Sequence, residues 1–198
     1  MEQQERGHNV KQARFDLGDL DTTKQLCDHI RSNHGQITGL VNNAVARPMS
    51  YFDDDISAWQ QSMKRNATGL FALTREIAHQ MADGTGGSII NISSIQGMRG
   101  PDERLYEGTD MYNGGERSPP PDYFFHKGGI LNLTRYFAAV FGNKQVRVNA
   151  VSPGGIKSQG QNQTFVKNYE RRTALGRLAE GDDVSSAVVF LLSDAASY

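Results

Sequence analysis

The chain of 198 residues holds one cysteine, Cys27, so neither an internal disulfide nor a cysteine-built zinc site is available to it. A reducing compartment follows. Charge of one sign is also lacking: 21 Lys and Arg against 22 Asp and Glu leave a formal charge of -1. That balance gives no pull toward nucleic acid or an acidic membrane surface. Long apolar runs are missing too, the longest being Ala187–Leu192, far short of the roughly 20 residues that span a bilayer. Residues 1–10 are polar and charged, without the apolar centre of a signal peptide, so a cytoplasmic protein is expected. No segment repeats at a period of 20–50 residues, and Ser118-Pro119-Pro120-Pro121 reads as a stiff loop rather than a linker. What remains is one globular domain over 1–198, long enough to bury a core of its own.

Short apolar runs alternate with longer amphipathic segments. The pattern predicts strands over 10–17, 37–41, 88–93 and 146–151, with helices over 21–32, 57–81, 123–142 and 182–193. In the long helix Trp59, Met63, Leu70, Phe71, Leu73, Ile77 and Met81 recur at helical spacing. Such alternation implies an α/β fold, a parallel sheet covered on both faces. Ligands of these sheets bind beyond the carboxyl ends of the strands. Polar and small residues gather there: Asp16-Leu17, Asn42-Asn43-Ala44, Ser93-Ser94 and Ser152-Pro153-Gly154-Gly155. Each is an ordinary turn former taken singly, and the recurrence at four strand ends points to a site.

Tyr123 and Lys127 stand four residues apart on a predicted helix, hence on one face. An ammonium beside a phenol favours the phenolate, which suits a tyrosine for general acid/base work.

In this order the pieces resemble the short-chain dehydrogenase/reductase family, over roughly residues 10–198. The resembling parts are Asp16, the NNAG-like turn Asn42-Asn43-Ala44-Val45, Asn66, Asn91-Ile92-Ser93-Ser94, the YxxxK pair, Pro153-Gly154, Leu175-Gly176-Arg177 and Leu191-Leu192-Ser193-Asp194. The resemblance implies a Rossmann-like, doubly wound parallel sheet and hydride transfer between NAD or NADP and a carbonyl/alcohol substrate. It assigns Ser94 to hold the substrate carbonyl, with Ser93 the close alternative, and Tyr123 to pass the proton. Lys127 tunes the tyrosine and holds the nicotinamide ribose, and Asn66 anchors a relay water. Asp16 and Leu17 meet adenine, Asn42 and Ala44 the adenosine side, Pro153, Gly154 and Ile156 the nicotinamide, and Ser158 its carboxamide or a phosphate. It further implies a homodimer or homotetramer. Gly128-Gly129 on the catalytic helix suggests that another helix backbone comes close there.

The sequence departs from the family pattern in four places. Val45 replaces the last glycine of the NNAG turn and disfavours a positive φ there. The stretch between Ser94 and Tyr123 is longer than usual. Its segment 98–122 carries Asp102, Glu103, Arg104, Tyr106, Glu107 and Arg117, the makings of a polar lid. Leu105-Tyr106-Glu107-Gly108-Thr109 also resembles members associated with flagellin or surface-glycan sugars. No glycine-rich phosphate turn stands before residue 84, and the family's closing strand has no counterpart after Tyr198. An incomplete fold is therefore expected, cut at both ends, with its first two strands and last strand absent. Two functions follow: an NAD(P)-dependent oxidoreductase, or a non-catalytic fragment or partner subunit that has lost cofactor binding. A nucleotide-sugar epimerase or dehydratase fits less well, because little sequence follows residue 160.

Overall fold

The computed structural model describes residues 9–109 and 120–198. Helix α1 (Leu20–His34) starts where the Asp19 carboxylate accepts from the Asp21 and Thr22 amides, and it stops at Gly35 with φ 78°. Strand β1 (Gly39–Asn42) follows. Next come α2 (Ile56–Ser62), a π-helical segment (Met63–Gly69) and α3 (Leu70–Ala82), continuous along one rod. Strand β2 (Gly87–Ile92) leads through two 3-10 turns to α4 (Pro121–Phe141), which opens on a proline that needs no amide partner. The chain closes with β3 (Val146–Val151), α5 (Gln163–Glu170) and α6 (Gly181–Leu192). A reciprocal box between Glu180 and Asp183 caps α6, and Arg177 pairs with Asp183 at 2.6 Å.

The three strands are parallel in the order β1-β2-β3, with Asn42 opposite Asn91 and Asn91 opposite Ala150. On one face Ile89, Val146 and Val148 pack with Cys27 of α1, Ile77, Ala78 and Met81 of α3, and Phe137 and Phe141 of α4. Strand side chains alternate, so Ser88 and Arg147 point the other way and bind α6. Both donate to the Leu191 carbonyl, at 2.8 Å each. Asn42, buried in the sheet, donates to Asn91 at 2.8 Å and to Thr74 at 2.9 Å, and Asn91 donates to Thr134 at 2.9 Å. This ladder ties β1 and β2 to both long helices.

The expected strand over 10–17 does not form: residues 9–16 carry no regular structure, and a turn at Leu17-Gly18 leads into α1. Alternating apolar residues make a strand only where a neighbour supplies the ladder, and β1 takes β2 as its partner. Leu17 instead rests on the helical rod. A Cβ at Gly69 would sit 1.9 Å from the Leu17 carbonyl oxygen, so only glycine admits this approach.

Candidate active site

Beyond β2 the two serines part company. The Ser93 hydroxyl donates to the Lys127 carbonyl at 2.7 Å and is committed to holding α4. Ser94 accepts from the Gln96 amide at 3.2 Å, and among the described residues its O–H donates to no other group. Ser94 and Tyr123 both line a cleft of about 680 Å³. Close packing of the turn after β2 against α4 sets this arrangement. A Cβ at Gly97 would lie 2.2 Å from the Lys127 carbonyl, and one at Gly128 would lie 3.3 Å from that of Gly97. Within this chain the neighbour at Gly128 is thus this turn, and among the described residues nothing lies within 4 Å of a Cβ at Gly129.

Lys127 lies behind the cleft, 6% exposed. Its ammonium donates to the Ile92 carbonyl at 2.5 Å and stands 5.5 Å from the Tyr123 ring centre. Burial, and then the positive charge of Arg47, push the lysine pKa down to about 8. The Arg47 guanidinium itself lies 4.9 Å from the Tyr123 ring centre.

Gly154, Ile156 and Ser158 form another wall of the cleft. They are braced by α5, whose Tyr169 hydroxyl accepts from the Gly155 amide. A Cβ at Gly154 or Gly155 would meet Tyr169 at 2.9 or 2.8 Å, so the two glycines let the ring close over the turn. Pro153 contributes its carbonyl to the Ile95 amide at 3.0 Å and lies outside the cleft lining. The long insertion forms part of the wall: Arg99, Asp102 and Tyr106 line the cleft. Asn168 of α5 donates to the carbonyls of Leu105 and Glu107, at 3.3 and 2.8 Å. Arg117 of the expected lid lies outside the described residues.

A second cavity, also about 680 Å³, brings together Asp16, Leu17, Ala44, Val45 and Asn66 with Arg65. Asp16 accepts from the Gly18 amide at 2.8 Å and from Arg65 at 3.3 Å; these bonds, the backbone one foremost, hold its pKa below the usual carboxylate value. Val45 adopts no positive φ, so the replacement of glycine leaves its backbone unstrained. Ala46 lines this cavity and Arg47 the first, so the two abut along this stretch.

Asn66 sits in the π-helical segment and holds Ala46 from both sides. Its carbonyl oxygen accepts from the Ala46 amide and its amide donates to the Ala46 carbonyl, each at 2.8 Å. It also donates to Ser62 at 3.0 Å. Ser62 is fully buried, donates to Asp122 and lies 3.0 Å from His126 Nε2. Burial pushes the His126 pKa down. A polar network therefore runs beneath the cleft from the residues preceding Tyr123 and Lys127 to the backbone of Ala46. Ser62, Asp122 and His126 carry no recognisable signal in the sequence, and all three are buried. Arg47, Arg99 and Tyr169 also went unmarked. No group of three or more His, Cys, Asp or Glu among the described residues is placed to hold a metal.

The family profile described as Enoyl-(Acyl carrier protein) reductase matches residues 2–198. The chain belongs to the short-chain dehydrogenase/reductase family. It is 35% identical over 175 residues to 2-(S)-hydroxypropyl-CoM dehydrogenase 3 of Xanthobacter autotrophicus, a match covering 83% of this chain and 62% of that relative. It is 30% identical to cis-4-hydroxycyclohexanecarboxylate dehydrogenase of Sinomonas cyclohexanicum, over 97% of this chain and 73% of that one. The chain thus spans under two thirds of the Xanthobacter relative. Among solved family members, a short-chain dehydrogenase from Leptospira borgpetersenii with bound NAD+ superposes with a TM-score of 0.82 at 26% identity. That match covers 94% of this chain and 69% of the other. The Rossmann-like architecture, expected as an incomplete one, is established by these likenesses and by the three parallel strands. No helix among the described residues is long and apolar enough to cross a membrane.

Proposed function

We propose that the protein is an NAD(P)-dependent oxidoreductase that interconverts a small alcohol and its carbonyl compound. The observation that carries this reading is the placing of Ser94 and Tyr123 on one cleft, with the Lys127 ammonium beside the tyrosine ring.

The residues fit a dinucleotide in part. The cleft at Gly154, Ile156 and Ser158 suits the nicotinamide end, and the abutting cavity at Asp16, Leu17 and Ala44 suits the adenosine end. Asn42 spends its amide nitrogen on Thr74 and Asn91, which leaves its Oδ1 and backbone for the adenosine side. No glycine-rich phosphate turn lies among the described residues. When bound, the nicotinamide supplies or accepts the hydride. In the reduction direction Ser94 donates a hydrogen bond to the carbonyl oxygen, and the Tyr123 hydroxyl gives its proton to the oxygen as charge develops there. Lys127 presents positive charge beside the phenol and also holds the ribose. Asn66, by fixing Ala46, keeps the wall between the two cavities in place and anchors the water of the proton relay. The exposed Phe125, Tyr136 and Val140 of α4 suit a homodimer or homotetramer contact.

The test is titration of the purified protein with NADH and NADPH, followed by turnover of a panel of ketones. Binding of one cofactor and its oxidation by a ketone are expected. No binding at millimolar cofactor would contradict the proposal and favour the non-catalytic partner subunit.

A further inference from the structure

The charges in the cleft are unequal. Arg47 and Arg99 line it, and the carboxylate among its described lining residues, Asp102, is occupied. Asp102 takes two bonds from Arg104, at 2.8 and 2.9 Å, and that pairing holds its pKa low. Neither Arg47 nor Arg99 has an acidic partner among the described residues. Arg47 is exposed, and its position is nonetheless set by its neighbours. The residue before it is clamped at both its amide and its carbonyl by Asn66, and its guanidinium stands over the Tyr123 ring. The ammonium of Lys127 approaches the same ring. Positive charge therefore converges on the reacting position, and among the described lining residues only the occupied Asp102 carries the opposite sign; burial first, and then the charge of Arg47, loosens the hold of Lys127 on its proton. A guanidinium held over the reaction centre, with its fork free, matches the paired oxygens of a carboxylate or phosphate.

We propose that the cleft takes an anionic substrate: a small ketone or secondary alcohol bearing a carboxylate or phosphate a few bonds from the reacting carbon, held by Arg47 with Arg99 as a second contact. This rests on the oxidoreductase reading of the same cleft. Arg47 lines the cavity of Ser94 and Tyr123 and not the one of Asp16, which assigns it to substrate rather than to the adenosine end.

The experiment compares acetoacetate with methyl acetoacetate, and dihydroxyacetone phosphate with dihydroxyacetone, as substrates of the whole protein with its preferred cofactor. In at least one pair the anion is favoured about 100-fold in kcat/KM, and the pair that shows it tells carboxylate from phosphate. Arg47→Gln collapses that ratio below about tenfold, and Arg47→Lys restores part of it. Equal use of charged and neutral partners in both pairs overturns the proposal. So does an unchanged ratio in Arg47→Gln, or a change confined to the KM of the cofactor. If no probe is turned over, the oxidoreductase reading fails separately, and calorimetry decides the anion site. Acetoacetate or dihydroxyacetone phosphate then binds at least about tenfold tighter than its neutral partner, or the proposal falls.

Discussion

Asp122 and Asp16 are both carboxylates on the site side of the sheet, and their surroundings differ in kind. Asp122 is 2% exposed, one oxygen accepts a hydrogen bond from the Ser62 hydroxyl, and the other has no hydrogen-bond partner among the described residues. It belongs to the half built from β2, α4 and β3, where core packing and a buried polar network fix each side chain from several directions. Asp16 is exposed, in a turn held by the Gly18 amide and a long contact to Arg65. It belongs to the flank along β1, where residues 9–16 form no strand. The catalytic half specifies its own geometry. The nucleotide flank is fixed by local turns and by the seat of Leu17 on Gly69.

That contrast sets the size of the expected effects. Ser62→Ala removes the hydrogen bond that Asp122 accepts and leaves both of its buried oxygens without a donor among the described residues, so it lowers stability by about 3 kcal/mol. Chemical denaturation measures this, and a change within experimental error would mean that the network is not structural. An effect of similar size, seen only at high pH, comes from Lys127. Below pH 8 the lysine is charged both folded and unfolded, and the cost of burying the ammonium is fully present. Between about 8, its folded pKa, and its usual value of 10.5, the unfolded chain keeps a proton that the folded chain has released. Stability relative to Lys127→Met therefore rises through that window, by about 3 kcal/mol, as read from unfolding curves at stepped pH. A flat difference would place the ammonium in water. Asp16→Asn comes last: a solvent-screened pair leaves the unfolding midpoint unchanged, and a marked fall would show the flank to be as tightly built as the core.

The sequence was legible where local pattern and tertiary partner agree. The strand expected over 146–151 has the observed limits, and the helix expected over 123–142 is displaced by two residues at its start and one at its end. Both are apolar segments with clear punctuation, Pro121 at the first position of the helix and Gly142 just after it. Residues 10–17 carry strand-like alternation, yet a strand also needs a neighbour with open backbone groups, which no single-segment pattern reveals. The π-helical segment was hidden inside 57–81, because one widened turn leaves the apolar spacing nearly intact. The helix Gln163–Glu170 is short and mostly polar, so it left no periodic trace, although its Tyr169 closes the cleft. Of the site, Ser94, Tyr123 and Lys127 were legible because spacing along one helix and one strand end brings them together. Arg47 and Ser62 were not, since their importance arises from contacts across the fold.

The most direct test of the assigned chemistry is the turnover of Tyr123→Phe, measured beside its cofactor affinity. Removing one hydroxyl should lower kcat about 1000-fold while the cofactor dissociation constant stays within about threefold. A variant that keeps kcat within about threefold of the wild type would show that the proton passes through another group, and would contradict the account.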